Sequence, residues 1–131
     1  MGINPIIIII SIWTGTIIFF SAVVAPTVFK SLGEKEAGVF LRAFFPKYYV
    51  FGIVLGTFSI IYLLFNPMHS HLMYSVLAMT LLTVLGRMSI PIINKARDSN
   101  DEKGFKRYHL ISVMMNVLTL IIGVVILGML I

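Results

Sequence analysis

Four long apolar runs broken by short polar stretches set the plan of this chain. The first, Ile6 to Val24, carries no charge; at ~1.5 Å per residue it is ~28 Å long, close to a ~30 Å hydrocarbon core. Asn4 before Pro5 predicts its start, an N-cap followed by proline at the first helical position, and Pro26 with Lys30, Gly33, Glu34, Lys35 and Glu36 predicts its end. Next, Ala37, Phe40, Leu41, Phe44 and Phe45 recur at i, i+3, i+4, i+7 and i+8 with Arg42 off that face, which predicts a short amphipathic helix over about 35–45 lying in the headgroup plane. Pro46 opens the second run, with Lys47, Tyr48 and Tyr49 as interfacial anchors. Asn66-Pro67 repeats the opening device before the third run, and a charged hairpin over Lys95 to Arg107 separates it from the fourth.

The expected fold class is therefore all-α: an integral membrane four-helix bundle with a short interfacial amphipathic helix between spans one and two. One domain covers 1–131, with spans over about 4–25, 47–65, 68–93 and 107–131. Composition agrees: 59% of the 131 residues are hydrophobic and 11% charged, where soluble domains carry roughly a quarter charged residues. The Met1-Gly2-Ile3-Asn4 start lacks the positive region of a leader peptide, so the first run reads as a span, and it lacks the Ser or Thr that myristoylation expects. With no cysteine there is no disulfide, thiolate metal site or cysteine nucleophile.

The net charge of +5 suggests lipid rather than nucleic acid, because every basic residue lies beside an apolar run. All ten Lys and Arg fall at one end of the spans, in the 30–47 and 87–107 regions, and none lies at the other. The positive-inside rule makes that end cytoplasmic and both termini non-cytoplasmic, with the plasma (inner) membrane of a prokaryote as the expected location and anionic headgroups as the surrounding partner.

Arg87 is the residue with most to explain, since an ionisable group inside a span is costly and marks a functional-site candidate. Asn94 lies two turns on, on the same face, with Pro91 between them; His109, Ser112 and Asn116 form a second polar stripe at i, i+3 and i+7 in the last span. If both stripes face inward, these five residues make a polar pocket at the cytoplasmic end. The competing reading has Arg87 snorkelling to lipid phosphates. Ser11, Thr14 and Ser21 give the first span a mildly polar face, or back-bond to their own helix.

Two further patterns bear on packing and metals. Gly52 and Gly56 form a G-x-x-x-G pattern, read as close packing inside the bundle in preference to dimerisation. Met68, His69, His71 and Met73 offer imidazole and thioether donors of the kind that suit a soft metal, although methionines in an interfacial turn are ordinarily packing. No cofactor and no resident metal are expected.

The strings Ala22-Val23-Val24-Ala25-Pro26-Thr27-Val28-Phe29, Phe45-Pro46-Lys47-Tyr48-Tyr49, Arg87 with Ile93-Asn94-Lys95-Ala96-Arg97, and Tyr108-His109 with Ser112 and Asn116 resemble the four-helix membrane family of transmembrane protein 205. Bacterial relatives of that family are described as a domain of unknown function, distantly similar to copper-resistance D-type domains. The resemblance spans nearly the whole chain and implies a four-span fold. For eukaryotic members it implies an association with resistance to platinum drugs.

Three functions compete. The first is a small-solute or ion transport or resistance component, with Arg87 drawing anions and His109 able to carry a proton. Four spans are few for a complete pathway, so this version expects a homo-oligomer. The second is a non-catalytic accessory or assembly subunit of a larger membrane complex. The third, an enzyme such as a haem protein with His109 as axial ligand, finds no carboxylate in any span to work with. The expectation is a non-enzymatic membrane protein, transport or resistance first and accessory subunit second.

Overall fold

A computed structural model describes Gly2 and residues 4–131, and in it the chain is a bundle of long helices. What was expected of the Met1-Gly2-Ile3 start falls on Met1 and Ile3, outside the described residues. Helix α1 (Pro5–Phe19) runs through a π-helical turn (Phe20–Val24) into α2 (Ala25–Ser31); α3 (Glu34–Phe65), α4 (Ser70–Asp98) and α5 (Glu102–Leu130) follow. The four rods Pro5–Ser31, Glu34–Phe65, Ser70–Asp98 and Glu102–Leu130 are each long and apolar enough to cross a membrane. This is an integral membrane, all-helical protein.

The ends of the helices follow local chemistry. The Asn4 side chain accepts from the Ile6 N–H at 3.1 Å, with Pro5 at the first helical position. Between α4 and α5 the chain reverses in three residues. Asn100 takes a left-handed φ of 56°, the Asp101 N–H donates to the Ala96 carbonyl at 2.9 Å, and Asp101 Oδ1 accepts from the Gly104 N–H at 2.9 Å.

The prolines part from the sequence expectation. Pro46 does not separate an amphipathic helix from a span: residues 35–45 are helical, but as the first turns of α3, with Pro46 inside it. Its missing N–H leaves only the carbonyl four residues back without a helical partner, and aromatic packing holds both sides of the gap. Phe44, Phe45 and Tyr48 all pack on Phe20, with centroids 5.1 to 5.3 Å away. Nor does Pro26 end the first span. A turn before it the Ala25 N–H reaches back five residues to the Phe20 carbonyl, and the widened turn lets the helix continue to Ser31. The charged hairpin is also shorter than expected, because α4 continues through Lys95 and Arg97 to Asp98.

The bundle is a square. Helix α1 packs on α3 and α5, α4 packs on the same two, and the diagonal pairs do not touch through their backbones. Between lipid-covered helices there is little hydrophobic gain from association, so stability rests on close contact, and small residues seat large ones. Gly52 and Gly56 both lie under Trp13: a Cβ at either would stand within 3.0 Å of the indole, and it would also meet Thr83 or Thr80 of α4. Gly123 of α5 lies against Thr14 and Met79, and Gly86 of α4 lies under the ring of Tyr49. Ile6, Ile10, Val76 and Met79 complete a core with no exposed surface.

Candidate functional site

Helix α2 contacts only α3 among the later helices, so at the charged end α5 lacks the wall that α1 gives it further down. A cavity of about 370 Å³ opens there between α3, α4 and α5, with Phe29 of α2 and Leu32 just past its end at the side. Helical spacing supplies its walls: Leu41, Phe45 and Tyr49 at four-residue steps on α3; Ile90, Asn94 and Arg97 at i, i+4 and i+7 on α4; and Phe105, His109 and Ser112 at i, i+4 and i+7 on α5.

Depth along the helices sorts these groups into layers. At the rim, the Arg97 guanidinium lies over the Phe105 ring at 5.1 Å, and the Phe105 ring stacks on His109 at 5.6 Å and 5°. Arg42 and Asp98 form a two-pronged ion pair that joins α3 to α4 beside the mouth, one of its contacts 3.1 Å long. Both partners are exposed, so water and salt screen the pair and it adds little to stability. One turn deeper come Asn94 and His109, and below them Tyr49 and Ser112 form the floor. From Arg97 to Ser89 the wall is ~12 Å deep at ~1.5 Å per residue.

Of the five residues expected to form a pocket, Asn94, His109 and Ser112 share this cavity, and Arg87 and Asn116 do not line it. The Tyr49 ring occupies the space over Gly86, the residue before Arg87, and closes the cavity at that level. Asn116 accepts a hydrogen bond from the Tyr48 hydroxyl at 2.9 Å, a tie across the α3–α5 diagonal. Arg87 stands half-buried between the interior pair Thr83 and Gly86 and the exposed pair Leu85 and Met88, with no hydrogen bond or ion pair among the described residues. The hydroxyl of Thr14 is enclosed without a partner beside Gly123, while Ser11 and Ser21 are exposed.

At the opposite end the His69 and His71 rings stack at 5.2 Å and 10°, the Met68 sulfur accepts from the Asn4 side-chain amide at 3.7 Å, and Met73 packs against the core. Among the described residues no group of three or more His, Cys, Asp or Glu is placed to hold a metal ion.

Sequence reasoning missed Arg97, which it assigned to a solvated hairpin, and Tyr49, which it took for a lipid anchor. The usable signal was Ile90, Asn94 and Arg97 falling on one stripe of a helix that runs past its apolar part.

Comparison with known proteins adds kinship without chemistry. An uncharacterized protein of Aquifex aeolicus (strain VF5) is 32% identical over 114 residues, which cover 87% of this chain and 85% of that protein. No solved structure matches. Residues 8–102 match the family described as Domain of unknown function (DUF4149), and the chain belongs to that family.

Proposed function

We propose that this chain is a non-enzymatic membrane protein that handles a small solute or ion as a transport or resistance component, and that the cavity at the charged end is its working site. The observation that carries this reading is the convergence of polar stripes from α4 and α5 on one space of about 370 Å³. That volume lies within the range of small-molecule sites, ~300–1,000 Å³. Its deep wall offers amide, imidazole and hydroxyl groups set among apolar side chains, a combination suited to holding a solute. The clustering of every Lys and Arg at this end supports a cytoplasmic mouth, non-cytoplasmic termini and a prokaryotic plasma (inner) membrane ringed by anionic headgroups. The resemblance to the transmembrane protein 205 family, and the distant similarity to copper-resistance D-type domains, support resistance as a class of role.

A single copy holds a solute more readily than it passes one. Beneath Tyr49 the bundle closes on Trp13, Gly52 and Thr83, leaving space for no more than about one water among them. Passage therefore calls for a homo-oligomer or a larger complex. That closed half favours a second reading, an accessory subunit that presents its solute to a partner.

A null strain complemented with wild-type protein or with Leu41→Trp, which fills the cavity, tests the first reading against a panel of toxic small solutes. Wild type is expected to restore tolerance to at least one solute and Leu41→Trp to restore none. Equal behaviour of the two, with equal amounts in the membrane, overturns the cavity as the working site. Recovery from native membranes as a stable stoichiometric complex supports the accessory reading, and migration as a lone monomer in mild detergent opposes it.

A further inference from the structure

We infer that the cavity takes an amphipathic anion, a carboxylate or phosphate head on a compact apolar body, with Arg97 as its head-binding residue; this rests on the reading of the cavity as a binding site. Three basic side chains and one acid line the cavity: Arg42, Arg97, His109 and Glu34. Arg42 is already neutralised by Asp98, and that is the one ion pair among the described residues, so Glu34 does not neutralise Arg97. Among the described residues Arg97 makes no ion pair of its own: the Asp98 carboxylate feels its charge but bonds to Arg42, and Glu34, the acid of the lining, is unpaired too.

Its setting suits an incoming acceptor. One face of the guanidinium is covered by Phe105, and on α3 its Nη1 atom approaches Gly38, where a Cβ would stand 3.7 Å away. Guanidinium N–H donors lie in the plane of the group, so stacking leaves them unspent. None of them has an acceptor among the described residues. The Phe105–His109 stack sets the imidazole one turn below, and Asn94 follows Arg97 down the same stripe of α4. Both side chains lack a hydrogen-bond partner among the described residues. A carboxylate or phosphate head presents two oxygens to an arginine fork and can accept from an adjacent amide or imidazole donor as well.

The rest of the wall is apolar. Leu41, Phe45, Ile90 and Ile93 line it from the mouth inward, and Tyr49 and Ser112 lie at the floor. A hydrophilic anion such as free phosphate leaves that wall unsatisfied, whereas a neutral apolar solute leaves Arg97 unpaired. An apolar body below an anionic head satisfies both, and the excess of basic residues around the mouth draws such a solute in.

The test is calorimetric titration of the full chain in nanodiscs of zwitterionic lipid with hexanoate, phenyl phosphate, inorganic phosphate, hexanol and hexylammonium. Wild type is expected to bind hexanoate or phenyl phosphate at least tenfold more tightly than hexanol, hexylammonium or inorganic phosphate. Arg97→Gln should lose at least tenfold for the anions, and Lys106→Gln, at an exposed basic residue outside the cavity lining, should lose less than threefold. Thermal melts of both variants establish that they fold. Native mass spectrometry of protein released from its own membranes separates the sources: an acidic lipid held by wild type and absent from Arg97→Gln marks a bilayer-borne ligand. Its absence, with hexanoate or phenyl phosphate binding intact, marks a water-borne one. Anion affinity unchanged in Arg97→Gln overturns the inference. If hexanol binds as tightly as hexanoate and Leu41→Trp abolishes it, the cavity stands as a binding site and the anion assignment fails. If no probe binds and Leu41→Trp changes nothing, both fail.

Discussion

The two ends of this bundle are built from the same helices and packed by opposite rules. Toward the uncharged end, glycine lies opposite a large or branched side chain at each crossing: Gly52 and Gly56 under Trp13, Gly123 against Thr14. Toward the charged end, Leu41, Phe45, Ile93 and Phe105 face a common space without that pairing, and about 370 Å³ stays open. Gly38, the glycine that lines this space, has room for another carbon, since a Cβ there would meet nothing nearer than 3.7 Å. In a lipid solvent, where apolar surface gains little by leaving the bilayer, close approach is what stabilises, and its absence at one end needs a reason other than stability.

That contrast can be broken or sharpened by substitution, with stability read from unfolding titrations in mixed micelles. The largest change is expected for Trp13→Ala, which empties the seat above two glycines and should cost about 3–5 kcal/mol. Gly56→Ala should cost about 1–3 kcal/mol, since the new carbon would stand 2.9 Å from the Trp13 ring and also meet Thr80. The same exchange at Gly38 should be neutral or raise stability by up to about 1 kcal/mol, because the helix gains alanine's propensity and no clash follows. A loss above 1 kcal/mol at Gly38 would erase the distinction between the two ends. The smallest effect is expected for Tyr48→Phe, which removes the bond to Asn116 across the diagonal: about 0.6 kcal/mol, the usual size of such a bond between spanning helices.

Much of this architecture is legible in the residues, for an identifiable reason. A bilayer demands ~20 apolar positions in succession, so the four spans declare themselves. Asn4 with Pro5 marks a helix start because both act on the first turn alone. Proline in mid-chain is harder to read. Pro46 looks like a boundary, yet the rings of Phe20, Phe44, Phe45 and Tyr48 lock together around it, and that depends on a helix distant in sequence. The pocket was half visible. The stripe His109–Ser112 and the residue Asn94 reach it, but the level of its floor is set by Tyr49 over Gly86, a contact between α3 and α4 that no spacing within one helix predicts. Arg87 stands outside the lining at the level of that floor, and Arg97, which reads as loop, stands at the mouth.

The five-residue turn at Phe20–Val24 has a consequence of phase. Relative to an unbroken α-helix it carries one residue too many, so everything after it is rotated by about 100° about the rod axis. Phe29 stands at the side of the opening with that offset behind it, and Leu32 follows in extended backbone just past the helix. Deleting one residue between 20 and 24 would leave a rod amply long to cross the bilayer, yet swing those two side chains a quarter-turn or more away and unroof one flank. In this chain a single surplus residue acts as the tuning peg that decides how wide the mouth stands.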